Sequence, residues 1–324
     1  MMVRVSVVVP TFRRPDRLVR CLDALAGQRL DRSEFEVFVV DDAGDEATRS
    51  LVEEWSGRSG VSGRYLATLG GPLGPAAARN LGWRRAAAAV VAFTDDDCLP
   101  EPDWLAEGLA ALDGGGPAAA TGRVVVPIPE APTDYQRDAA GLAGAEFVTA
   151  NLFCRREALE AAGGFDERFA LAWREDSDLH FALIERGGQI VRAPRAVVIH
   201  PVRPAPWGIS LGQQRKSLFD ALLFKKHPDL YRRRIRSTPP WGYYATVASA
   251  GSALLGLGLG SKPLALASAG AWAWLTARFC LARLRGASLA ASHVAEIAAT
   301  SAIIPFLSVF WRLHGAWKFR TRFF

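Results

Sequence analysis

Three consecutive carboxylates, Asp95, Asp96 and Asp97, directly follow the apolar run from Ala87 to Phe93. Carboxylates this close repel one another unless a cation relieves them. A hard divalent ion does so by taking one or two carboxylates and completing its shell with substrate phosphates. The spacing therefore predicts a site for a divalent metal (Mg2+ or Mn2+) and a diphosphate, against the plainer alternative of a solvated acidic turn. Three more groups have a similar placement. Asp41 and Asp42 close the run Phe35–Val40, Glu175-Asp176-Ser177-Asp178 opens an apolar helical stretch, and His200 follows Ala196–Ile199.

The elements that must position these groups can be read from periodicity. Val5-Ser6-Val7-Val8-Val9-Pro10-Thr11 is a β-branched strand leading into a basic loop, Arg13-Arg14, and a helical pattern from Asp16 to Gln28 follows. Phe35–Val40 and the run ending at Phe93 read as further buried strands. Strands alternating with helical stretches imply right-handed βαβ units and a mostly parallel sheet, so the carboxylate-bearing tips should share the edge where open α/β sheets bind ligands.

At this point the chain resembles the family 2 glycosyltransferases, which have a GT-A fold. The resemblance rests on Val-Val-Val-Pro-Thr at 7–11, Val-Val-Asp-Asp at 39–42, Gly-Pro-Ala-Ala-Ala-Arg-Asn at 74–80, Thr-Asp-Asp-Asp at 94–97, Gly-Gly-Phe-Asp-Glu at 163–167 and Glu-Asp-Ser-Asp-Leu at 175–179. It implies inverting transfer of a single sugar from a nucleotide-diphospho-sugar, a UDP-sugar favoured, to a hydroxyl acceptor that is lipid-linked or a polysaccharide precursor. On that resemblance Asp97 is the direct metal ligand, Asp95 lies nearer the ribose or a metal-bound water, and Asp96 points back into the protein. Pro10 and Thr11 shape the wall beside the base. Asp41, weighted slightly above Asp42, accepts the imino hydrogen of the base, and the other aspartate caps the following helix. Arg79 contacts base or phosphate, while Asn80 is either a ligand contact or a hydrogen bonder near a helix start. Asp176 is the general base with Glu175 as alternate, and His200 is a further candidate for the metal shell or the diphosphate. Trp173, just upstream of Glu175, either stacks on a sugar face or simply packs. The Gln-x-x-Arg-Trp string of processive synthases does not occur, which favours single transfer. The alternatives are a catalytically silent scaffold of the same fold and a nucleotidyltransferase. The latter is disfavoured because no Lys precedes Lys216.

Composition completes the expectation. Four scattered cysteines, Cys21, Cys98, Cys154 and Cys280, argue against a disulfide framework or zinc site. The amino terminus shows no long apolar segment, so the catalytic part is expected in the cytoplasm. The net charge of +6 hides an asymmetry: residues 201–324 hold 17 Lys plus Arg against 3 acids, and residues 1–200 hold 22 against 30. The basic part alternates with long apolar stretches, which suits anionic membrane lipids rather than nucleic acid. The expected organisation is a GT-A catalytic domain over 1–205, a basic helical segment over 206–240, and membrane-associated helices over 241–324 at the cytoplasmic membrane. The last part comprises a candidate hairpin, 242–260 and 264–282, with arginines at both outer ends, and an interfacial tail, 303–324.

Overall fold

The computed structural model describes residues 3–323. The chain divides into two compact units. One comprises the residues up to Pro127 together with Ala140–Val202, and the other comprises Ile128–Ala139 with the chain from Arg203 onward.

The first unit opens with β1 (Val5–Thr11), α1 (Pro15–Ala26), β2 (Phe35–Asp41), α2 (Glu46–Ser59), β3 (Ser62–Ala67), α3 (Pro75–Arg85) and β4 (Val90–Phe93). There follow β5 (Leu99–Pro100), α4 (Trp104–Ala110) and β6 (Ala119–Val125); the excursion into the second unit then carries all of α5 (Asp134–Ala140) but its last residue. The first unit ends with β7 (Leu152–Arg155), α6 (Arg156–Ala162), α7 (Glu175–Glu185) and β8 (Ile190–Ile199). Among the described residues the strands form one sheet of order β3-β2-β1-β4-β7-β6-β8-β5. β1, β2, β3 and β4 are mutually parallel, as the alternation of strand and helix requires. β7 runs antiparallel to both β4 and β6, β8 is parallel to β6, and β5 is antiparallel to β8. The sheet is thus mixed beyond β4. The link from β6 to β7 is not a helix crossing a sheet face, so nothing obliges β7 to be parallel.

Side-chain alternation along β1 explains the two cores. Val5, Val7 and Val9 face Leu18 and Leu22 of α1, Val52 and Trp55 of α2, and Trp104 of α4. Val8 faces the opposite layer, with Ala76 and Ala78 of α3, Leu159 of α6 and Leu179 of α7. Both faces of the central strands are covered by helices, which is why these strands read as continuous apolar runs.

The second unit adds α8 (Ile209–Gln213), α9 (Leu218–Lys226), α10 (Pro228–Arg234), α11 (Trp241–Gly258), α12 (Lys262–Leu284) and α13 (Ala291–Lys318). The absent side chain of Gly256 lets α11 approach α12 closely: a Cβ there would lie 2.6 Å from the Ala265 backbone nitrogen. Among the described residues α12 and α13 are the two helices long and apolar enough to cross a membrane, and α11, the first arm of the expected hairpin, does not meet that standard. Its Trp, Tyr, Gly and Ser residues lower its hydropathy. The expected tail over 303–324 is instead largely the second half of α13, with Pro305 inside it. α13 buries Arg312, 3.7 Å from Asp220 of α9, and seats Gly315 on the Leu218 backbone. The helices α8 to α10, expected as a separate segment over 206–240, lie within this unit, as does Ile128–Ala139, which no compositional shift announces.

Candidate active site

Because β1, β2 and β4 are parallel, their carboxyl ends put Thr11, Asp41 and the Asp95–Asp97 turn on one edge. The Cys98 N–H donates to the Asp95 carbonyl at 3.0 Å and closes this turn, and its three side chains diverge. Asp95 Oδ1 accepts from Arg79 Nη2 at 2.8 Å. Asp96, 2% exposed, accepts the Thr11 hydroxyl at 2.8 Å and Arg14 Nη1 at 3.3 Å. Burial pushes its carboxyl above the usual range, and the Arg14 charge opposes that rise. Asp97 lies 3.6 Å from Arg17 Nη1 and 3.7 Å from His200 Nε2. The short β5 strand explains the second contact: Leu99 pairs with Ile199, which sets the residues just before Leu99 beside the residue just after Ile199.

Ligand atoms of Asp95, Asp97, Cys98 and His200 all lie within 4.8 Å of one another. The Cys98 thiol is pushed well above its ordinary value by burial and then by the charges of Asp95 and Asp97, so it stays protonated and is a poor ligand. What remains is two carboxylates and an imidazole. That donor set fits a divalent ion of the Mg2+ or Mn2+ kind.

A second acidic group lies at the start of α7. Arg174 takes a left-handed conformation, φ 76°, which turns the chain so that Glu175 and Asp176 open the helix. Glu175 is buried. Its Oε1 accepts from Arg79 Nη1 at 3.1 Å, and its Oε2 has no hydrogen-bond partner among the described residues. Burial, then the adjacent Asp176 charge, pushes Glu175 up to about 7, with Arg79 pulling the other way. Asp176 is half-buried and accepts the Ser177 N–H at 2.6 Å; burial raises it too, and that hydrogen bond moderates the rise. Asp178 is buried in the same first turn.

Arg79, expected to contact base or phosphate, is engaged by both acidic groups. The guanidinium, 3% exposed, bridges Asp95 and Glu175. Asn80, read as either a ligand contact or a hydrogen bonder, is bonded to protein here. Its amide donates to the Phe165 carbonyl and to Glu167, and its oxygen accepts from Trp83 Nε1 and the Phe165 N–H, so all four hydrogen-bonding positions are taken by protein. It latches the Gly163-Gly164 turn, where a Cβ on Gly164, φ 73°, would lie 2.6 Å from Asn80 Oδ1.

Asp41 and Asp42 hold loops. Asp41 accepts the Ala43 and Asp45 N–H groups and the Tyr65 hydroxyl. The next helix, α2, is capped by Asp45 rather than by either of the pair. Asp42 accepts the Thr68 hydroxyl and the Leu73 and Gly74 N–H groups, which fixes the loop leading to Arg79. Pro10 is half-buried at the tip of β1, and Thr11 turns its hydroxyl to Asp96. Trp173 is 36% exposed, with the Arg174 guanidinium 4.5 Å from its ring centre. Sequence reasoning missed Arg17 and the partner of Arg14. Both flank the Pro15 start of α1 just beyond the tip of β1, which was the available signal.

Comparisons with known proteins agree with this architecture. The family model described as glycosyl transferase family 2 matches residues 6–175, and that of glycosyl transferase family group 2 matches residues 134–311. The glycosyltransferase AglE of Haloferax volcanii is 26% identical over 211 residues, covering 62% of this chain and 67% of AglE. Among solved structures, the mannosyltransferase PcManGT from Pyrobaculum calidifontis, in complex with GDP-Man and Mn2+, superposes with a TM-score of 0.60 at 21% identity, covering 96% of this chain and 87% of that one. Residues 1–349 of Staphylococcus aureus TarS in complex with UDP-GlcNAc give a TM-score of 0.52 at 16% identity, covering 96% and 92%. At these identities the two structures show a shared fold.

Proposed function

The chain belongs to glycosyl transferase family 2 and is a glycosyltransferase that uses nucleotide sugars, and on that premise we propose metal-dependent, inverting transfer of a single sugar to a hydroxyl acceptor at the cytoplasmic face of a membrane. The observation that carries this reading is the Arg79 bridge. One buried guanidinium joins Asp95, one of the candidate metal donors, to Glu175, beside the candidate base.

Asp97, Asp95 and His200 would hold the cation, which when bound stabilises the negative charge that grows on the diphosphate leaving group. Asp176 takes the proton from the acceptor hydroxyl as its oxygen bonds to the anomeric carbon. The bond from that carbon to the phosphate oxygen breaks on the opposite face, which inverts the configuration, and the nucleoside diphosphate departs. Glu175, held by Arg79, keeps the first turn of α7 in place, and the neighbouring Asp176 charge raises the proton affinity of Glu175 itself. The favoured donor is a UDP-sugar, although an Asp41 or Asp42 carboxylate would accept the imino hydrogen of uracil or guanine alike; PcManGT binds GDP-Man and TarS binds UDP-GlcNAc. A lipid-linked or polysaccharide-precursor acceptor suits the membrane reading. α12 buries only 6% of its apolar window and exposes Leu266, Trp274 and Leu281 by 60% or more.

A screen of UDP- and GDP-sugars by thermal shift and by release of nucleoside diphosphate, with Mn2+ or chelator, tests the proposal. Release is expected with Mn2+, lost in chelator, and lost in Asp97→Asn while the fold persists. Full turnover in chelator or in that variant overturns the metal assignment.

A further inference from the structure

Four arginines, Arg232, Arg236, Arg312 and Arg322, line one cavity of the second unit with no carboxylate among its lining residues. The cavity lies between α10, the 235–240 link and the end of the chain, and its volume is about 160 Å3. That is several times the ~30 Å3 one water takes up in the liquid, enough for a phosphate and a small attached group. Hydroxyls of Tyr231, Ser237 and Thr238 join the lining.

Two of the guanidiniums are held by aromatic rings. Arg232 lies 4.8 Å from the centre of Phe224, and Arg312 lies 4.2 Å from the centre of Phe323. Stacking lowers the entropy lost when a guanidinium orients on an anion. Arg312 is 3% exposed, and the carboxylate of Asp220, 3.7 Å away, is not among the lining residues. Among the described residues four arginines and no carboxylate line the cavity, which leaves that lining positive. Its chemistry is that of a phosphate site.

The position specifies the kind of phosphate. Pro239, in the lining, is two residues before Trp241, the first residue of α11, whose ring is 64% exposed. An exposed Trp at the start of an apolar helix belongs at headgroup level, where basic pockets recognise anionic lipids. We propose that this cavity binds the phosphodiester of one anionic phospholipid, an inference that rests on the membrane reading above. The pocket holds the second unit at a fixed depth by its headgroup, in addition to the diffuse attraction of its basic surface.

The test uses full-length protein in nonionic detergent, with retained phosphatidylglycerol or phosphatidylcholine counted by native mass spectrometry. Wild type should retain phosphatidylglycerol selectively. Arg232→Gln/Arg236→Gln should lower its retention about tenfold, whereas Arg233→Gln/Arg234→Gln, an equal charge change outside the lining, should not. The substituted residues Arg232, Arg233, Arg234 and Arg236 are all exposed, so both double variants are expected to fold. Equal loss in the two variants, unchanged retention in the first, or displacement of the lipid by millimolar inorganic phosphate would overturn the proposal. Recovery of each protein in alkali-washed membranes reads the membrane reading separately. Wild-type release there refutes that reading while the micelle measurement still reports on the pocket.

Discussion

Replacing Arg79 by Gln removes the one cation that touches both Asp95 and Glu175, at 2.8 and 3.1 Å. Breaking a buried pair by deleting one partner costs about 3–5 kcal/mol, because the remaining charge has no counter-ion. Here part of that cost is avoidable, since Glu175 titrates at about 7 and can take a proton. The sign follows from the reference value of 4.5 for a free Glu: the fold favours the neutral carboxyl, so its contribution is complete below 4.5 and is lost as pH rises through about 7. Without Arg79, which pulls Glu175 downward, that loss extends to higher pH, by up to about 1.4 kcal/mol per pH unit. The destabilisation should therefore be about 1–2 kcal/mol near pH 6 and reach about 3–5 kcal/mol near pH 8.5. Thermal unfolding of wild type and variant at the two pH values reads the difference directly. Transfer should fall about a hundredfold, with its acidic limb displaced upward, and Arg79→Lys should restore charge but only part of the rate, lacking the fork. An equal gap in midpoint at both pH values, or a wild-type rate profile, would refute the bridging role.

Asp176→Asn should cut transfer by about two to four powers of ten with donor affinity retained, and wild-type transfer should rise with pH through about 7 as the Glu175–Asp176 pair ionises. A parallel loss of donor affinity would mark Asp176 as part of the binding wall. Gly164→Ala should destabilise by about 1–3 kcal/mol, since the position has φ 73° and the new Cβ meets Asn80 Oδ1; an unchanged denaturation midpoint would remove the latch from the argument. Full-length protein should stay in membranes through high salt and alkali, whereas a chain ended near residue 240 should partly leave, retaining salt-sensitive binding to anionic vesicles. Release of the full chain by salt alone would point to apolar helices packing on each other.

Much of the first unit is legible in the sequence because strand tips there carry their own label: apolar runs end at Asp41 and just before Asp95, so element and chemistry coincide. Pairings across long separations are not. Arg79 reads as a helix-start cation suited to phosphate, and only tertiary packing sets it between residues 16 and 96 positions away. Asn80 shows the same limit, since its amide could serve a ligand or a loop and the Gly163–Phe165 turn decides. β5 is two residues long, below any periodicity, yet it is what brings His200 to Asp97. In the second unit, hydropathy located helices near the expected hairpin but could not see that α13 carries a buried polar face, with Thr300, Ser301, Ser308 and Arg312 turned inward.

That Asp95, Asp96 and Asp97 each face an arginine, Arg79, Arg14 and Arg17, the first of them shared with Glu175, has a thermodynamic corollary. A triad already partly neutralised by these arginines attracts a free cation only weakly, because each new bond to a carboxylate competes with an existing partner. A diphosphate reverses that balance: it adds negative charge that the same arginines can share and brings oxygens to fill the ion's shell. Cation and donor should therefore bind with positive linkage, each tightening the other by the same factor. Titrations of either alone would then understate its affinity in the ternary complex, and departure of the charged product would loosen the ion with it.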